Sequence, residues 1–141
     1  MRALTNALLA VLLLLLGVFH VLQSGSGGYG RVLEANWGVS LVDSRWEVLY
    51  EDDNTAGFHG DGVRYHVFRR PEGGVLPQAA DDAAYQAEKV SGWLDLLDTP
   101  ESRRPGADAV PLWYALQQDG SEIVVLCSGD GQILYVVESF L

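Results

Sequence analysis

The chain has a single cysteine, Cys127, so no disulfide can form within it and its stability must come from packing. Basic residues are scarce, with 9 lysines and arginines against 19 aspartates and glutamates and a formal charge of −10. Phosphate binding needs a basic face, so nucleic acid is excluded as a partner. Such a surface also gains nothing from lying on anionic lipid. Several chemical signatures are missing too. There is no H-E-x-x-H zinc motif, no G-x-S-x-G nucleophile elbow and no G-K-[ST] after a glycine-rich turn. A calcium loop starting at Asp52 would place Ala56 and Val63 where it needs ligands. His59 and His66, seven apart with no cysteine nearby, make a poor zinc set. No metal or cofactor is therefore expected, and no repeat of solenoid period occurs.

Charge of either sign is missing from Ala7 to Leu22, and Val11 to Leu16 is almost pure leucine. With Ala3 to Asn6 included, the run through Leu22 reaches about 20 residues, enough for a helix to cross the hydrocarbon core. Arg2 precedes the run and the first charge after it is Arg31. The positive-inside bias then holds the N-terminus in the cytoplasm and exports the rest. Residues 1–22 are accordingly read as a transmembrane anchor of a single-pass membrane protein. The competing reading is a signal segment cleaved near Ser24 to release a secreted protein, but Leu22 fits such a site poorly and the apolar core is long for a signal. Cys127 lies too far down the chain to be a lipidation site at this junction. Residues 23–30, QSGSGGYG, read as a flexible Gly/Ser tether. Residues 31–141 follow as one extracytoplasmic domain with one core.

Within that domain, three β-rich runs, Leu112 to Leu116, Ile123 to Cys127 and Ile133 to Val137, are separated by Asp119-Gly120 and Gly129-Asp130-Gly131. These turn dipeptides predict an antiparallel meander. The middle run is apolar at every position, which predicts a central strand covered on both faces, with Cys127 a buried small hydrophobe. An earlier hairpin is expected with Trp46, Val48 and Tyr50 on one face of its first strand and Val63, Tyr65 and Val67 on one face of the second. The opposite faces would carry Glu47 and Glu51 against Arg64 and His66, as a solvated surface with cross-strand charge pairs. Ala83, Ala87, Val90, Leu94 and Leu97 form the stripe of an amphipathic helix from Asp81 to Asp98, stopped by Thr99-Pro100 and open to a break at Ser91-Gly92. A shorter helix is expected from Val32 to Trp37, ended by Gly38. The four tryptophans are read as core, and Arg69-Arg70 and Arg103-Arg104 as exposed loop charges. Together these elements predict an α+β domain with an antiparallel sheet of about five strands covered by one or two helices.

The unusual segment is the hairpin connection Gly57-Phe58-His59-Gly60-Asp61-Gly62, preceded by Asp52, Asp53 and Asn54. Three glycines free its backbone, and between them stand an aromatic, an imidazole and a carboxylate. Asp53, Phe58, His59, Gly60, Asp61 and Gly62 are thus the candidate functional loop. An acid/base pair of His59 and Asp61 is chemically feasible. The alternative is that the glycines shape a tight turn, Phe58 plugs the core, and His59 and Asp61 bond backbone groups that would otherwise go unpaired.

At this loop the chain resembles a group of small uncharacterised bacterial proteins of Firmicutes type, membrane-anchored or secreted, with a motif close to D-x-H-G-G-F-H-G-D-G. Asp53 and Gly57-Phe58-His59-Gly60-Asp61-Gly62 fit it, while Thr55 and Ala56 depart from the upstream His and first Gly. The likeness continues more loosely through Trp93 to a C-terminal hairpin with Tyr135 and Glu138. It implies a shared fold and cellular address and no particular reaction; the absent upstream His would matter if it joined His59 on a metal. The favoured expectation is a non-catalytic binding module, attached to the membrane through its N-terminal helix, whose partner is an envelope or extracellular protein. Two alternatives stand beside it: a hydrolytic or metal-dependent enzyme using His59 and Asp61, and an inhibitor or immunity-like protein.

Overall fold

The computed structural model describes residues 26–56, 60–76 and 87–141. Two compact units meet in sequence between Arg45 and Trp46. In the first, helix α1 runs Ser26–Trp37, so Ser26 to Gly30, read above as tether, are helical instead. Burial overrides their weak helix propensity: Tyr29 and Leu33, four apart, are both buried. Gly30 is needed there because a Cβ at that position would stand 2.2 Å from the Val42 carbonyl oxygen. As expected, Gly38 ends the helix with φ of +67°, its N–H donating to the Glu34 carbonyl at 2.9 Å. Among the described residues no helix is long and apolar enough to cross a membrane. The segment read as an anchor, 1–22, lies outside them.

The second unit, Trp46–Leu141, holds strands β1 (Glu47–Asp53) and β2 (Gly62–Arg69), helix α2 (Ala87–Leu96), a 3-10 turn (Glu101–Arg103), and strands β3 (Val110–Leu116), β4 (Glu122–Cys127) and β5 (Ile133–Phe140). This is the expected α+β class. All five strands form one antiparallel sheet in the order β1-β2-β5-β4-β3. The hairpin and the meander are joined by the β2–β5 ladder, which aligns Arg64 with Glu138 and His66 with Val136.

One face of the sheet carries Val63, Tyr65, Val67, Val124, Leu126 and Val137, covered by Val90, Leu94 and Leu97 of the predicted helical stripe. Ala83 and the start of that stripe lie outside the described residues. Helix α2 does not break at Gly92 but runs through it. A Cβ there would meet nothing within 4 Å, so the position is exposed and geometrically ordinary. Gly92→Ala is therefore expected to stabilise the protein by about 1 kcal/mol, read as a rise in melting temperature of roughly 4–8 °C for a unit of this size. The helix ends in a Schellman arrangement: Thr99 N–H donates to the Leu94 carbonyl (3.0 Å) and Asp98 N–H to that of Asp95 (3.1 Å). Asp98, at φ of +53°, occupies the left-handed position usually held by glycine.

The other face is where the sequence reading fails. A bulge at Leu49 shifts the register between Val48 and Tyr50, and one extra residue turns a strand over. Val48 therefore aligns with Phe68, whereas Tyr50 joins Leu49 against the α2-covered core. Nor is the Arg64/His66 face solvated. Phe68, Ile123, Val125, Leu134, Val136 and Glu138 are fully buried and His66 nearly so. β4 is thus buried on both faces, as its unbroken apolar run predicts, and burial pushes the Cys127 thiol pKa up. Of the tryptophans, Trp46 is buried, while Trp37, Trp93 and Trp113 are half-buried. Arg69 is exposed and pairs with Glu47 at 2.7 Å. Arg104 is more enclosed than expected, bonding the Asp95 carboxylate (2.7 Å) and the Thr99 carbonyl (2.9 Å).

Candidate functional site

The candidate loop leaves the sheet at Asp53, the last residue of β1, and re-enters at Gly62, the first of β2. Phe58 and His59 lie outside the described residues. Gly60 (φ +73°) is open, with nothing near a would-be Cβ, and Asp61 is exposed. Gly62 (φ +141°) is there for geometry. A Cβ would stand 2.6 Å from Asn54 Oδ1, the atom that accepts the Val63 N–H, also at 2.6 Å. With the Asn54 N–H donating to the Val63 carbonyl (3.0 Å), this side chain closes the mouth of the loop.

Asp53 is engaged on both carboxylate oxygens. Oδ1 accepts from the Thr55 N–H at 2.7 Å and from the Thr55 hydroxyl at 2.5 Å. Oδ2 accepts from Arg64 Nε at 2.9 Å. Partial burial alone would raise its pKa, but the bonds from Thr55 and Arg64 and the Arg64 charge outweigh that and hold it below the usual carboxylate value. A carboxylate with three such donors is stabilised as the anion and is poorly placed to take a proton. In this loop Asp53 and Asn54 bond backbone and neighbouring side chains, while Asp61, which the shape-holding alternative assigns to the loop's backbone, is exposed.

The structure adds a group that the sequence reading did not assemble. Arg64 reaches from Asp53 across β2 to Glu138 on β5, with Nη1 3.7 Å from Oε2, and its guanidinium lies 5.2 Å from the centre of the Phe140 ring. Glu138 is wholly buried in a central strand. One register step along, His66 stacks on Phe68 with ring centres 5.7 Å apart and planes within 6°. Glu51 approaches His66 Nε2 to 3.7 Å. That approach is not an ion pair at neutral pH, because burial, aided by the Arg64 charge and only partly opposed by Asp53, lowers the His66 pKa to about 4. The Glu51 side chain is 64% exposed and its charge is largely screened. A signal for Glu138 did exist, since Leu134, Val136 and Glu138 alternate along β5 and period-two patterning puts all three on one face.

Among the described residues no three His, Cys, Asp or Glu side chains converge closely enough to hold a metal ion. No family model, curated protein or solved structure matches the chain.

Proposed function

We propose that the protein is a membrane-anchored, extracytoplasmic, non-catalytic module that binds another protein of the envelope or cell exterior. The observation that supports this most directly is the engagement of Asp53 and Asn54 with their own loop. A hydrolytic or metal-dependent site built on Asp53 would need that carboxylate turned toward a ligand, and here it fixes the loop's entry and orients Arg64. The acidic balance of the sequence suits a polypeptide partner over nucleic acid, and the leucine-rich start provides the tether. The purified full chain is expected to show no turnover that His59→Ala abolishes. A reporter fused after Leu141 is expected to be active outside the cytoplasm. Hydrolytic or metal-dependent activity lost in His59→Ala would refute the non-catalytic reading, and a cytosolic reporter would refute the address.

A further inference from the structure

The two edges of the sheet are built in opposite ways. β1 carries Glu47, Glu51, Asp52 and Asp53 and is bulged at Leu49, and both charge and kinking discourage a further strand from pairing. β3 is Val-Pro-Leu-Trp-Tyr-Ala-Leu, with no charge at all. Val110 is 47% and Leu116 61% exposed, and the five residues between are half-buried. No described strand lies beyond it.

Hydrogen-bond alternation shows where this edge is open. The Gln117 N–H donates to the Ser121 carbonyl at 2.9 Å, closing the β3–β4 hairpin. In an antiparallel ladder every second pair bonds inward, so Trp113 and Ala115 bond β4, opposite Val125 and Ile123. Tyr114 and Leu116 then turn their N–H and C=O groups outward. Pro111 and the bulge at Leu112 interrupt the other half of the strand, leaving 113–116 as the open stretch.

Charge selects the occupant. From Pro105 to the end the sequence contains no lysine or arginine, and Asp108 and Asp119 stand just before and just after β3. A second copy pairing antiparallel would bring Asp108 of one chain beside Asp119 of the other, like against like. A strand with lysine or arginine at both ends meets the opposite charge at each.

We propose that the β3 edge is a strand-addition site for an extended polypeptide segment with apolar side chains at alternate positions and basic residues at its ends. This rests on the binding-module reading and names what the module binds. In such recognition the main chain supplies affinity and the flanks select the partner.

The test uses the full chain in detergent micelles and a fluorescent, lysine-ended peptide of alternating valine and threonine, followed by anisotropy. Saturable binding is expected. The same peptide with glutamate ends, or N-methylated at alternate backbone nitrogens, should bind at least about tenfold more weakly. Tyr114→Pro removes an outward N–H and no backbone bond to β4, a place where an edge strand tolerates proline, though the Tyr114 hydroxyl's bond to Glu122 (2.9 Å) goes with it. Leu116→Lys puts a positive charge on the edge. Each should weaken binding at least about tenfold while circular dichroism shows a folded chain; should the proline variant not fold, the lysine variant and the N-methylated peptide decide. Affinity unchanged by the Leu116 variant or by N-methylation overturns the proposal, as does a chain that dimerises through β3 and excludes the peptide. Absence of peptide binding removes the edge assignment only. Turnover lost in His59→Ala removes the module reading instead, so the two failures are distinguishable.

Discussion

Arg64→Met is expected to lower the unfolding free energy by about 3–5 kcal/mol, the usual cost of removing one partner from a buried charge pair. Glu138 has no exposed surface and its carboxylate stands 3.7 Å from the Arg64 guanidinium, whose side chain is itself only 20% exposed. Without Arg64 the buried carboxylate loses the cation that offsets its desolvation. Asp53 would also lose its Nε donor, though it keeps both bonds from Thr55. Chemical denaturation of Arg64→Met, Glu138→Leu and the double variant separates these effects. Replacing the whole pair by apolar groups of similar size is expected to cost less than Arg64→Met alone, because no buried charge then remains to be desolvated. If the double variant is as unstable as the sum of the singles, the pair is not coupled and the account of this face is wrong.

What the sequence revealed, and what it hid, follows the range of the interactions involved. The turns at Gly120 and Gly131, both at positive φ, were legible because a dipeptide specifies them. The stripe Val90, Leu94 and Leu97 was legible because a period of 3.6 needs only one helix to read it. The Arg64/His66 face was misread because alternation tells which side chains share a face but not whether that face meets water. Polar residues on it suggested solvent. Only the pairing of β2 with β5 sets Arg64 against Glu138, and no local pattern announces that ladder. The bulge at Leu49 was missed although Val48-Leu49-Tyr50, three apolar residues in a row, breaks the alternation of a regular strand; which residue is the extra one is set by the register with β2. For the candidate loop, the sequence singled out Asp53 and Gly62, whose side-chain bonds and backbone geometry the structure then describes. It could not tell that Asp53 would bond Thr55 and Arg64, because three donors on one carboxylate is a statement about geometry.

His66 should make the protein lose stability on mild acidification, as pH falls below about 6.5. Burial is the main cause of its lowered pKa, about 4, with the Arg64 charge adding to it; an unfolded chain would titrate the same ring near 6.5. Between those values the unfolded state binds the extra proton, so stability rises with pH across the window. The contribution is whole above about pH 6.5, shrinks as pH falls, and is gone below about pH 4, amounting to roughly 3 kcal/mol in total by linkage. Asp53 acts in a separate range. Its pKa is lowered from 3.8, so what it contributes is present above that value and lost only as pH falls further. Denaturant titrations of the full chain from pH 7 to pH 4 should therefore show a decline that His66→Leu largely flattens, whatever the variant's own stability at pH 7. His20 and His59 are present in both proteins and cancel in the difference. Parallel declines in wild type and variant would mean that the imidazole can charge in place, and the stacked, water-poor setting of His66 against Phe68 would have to be given up.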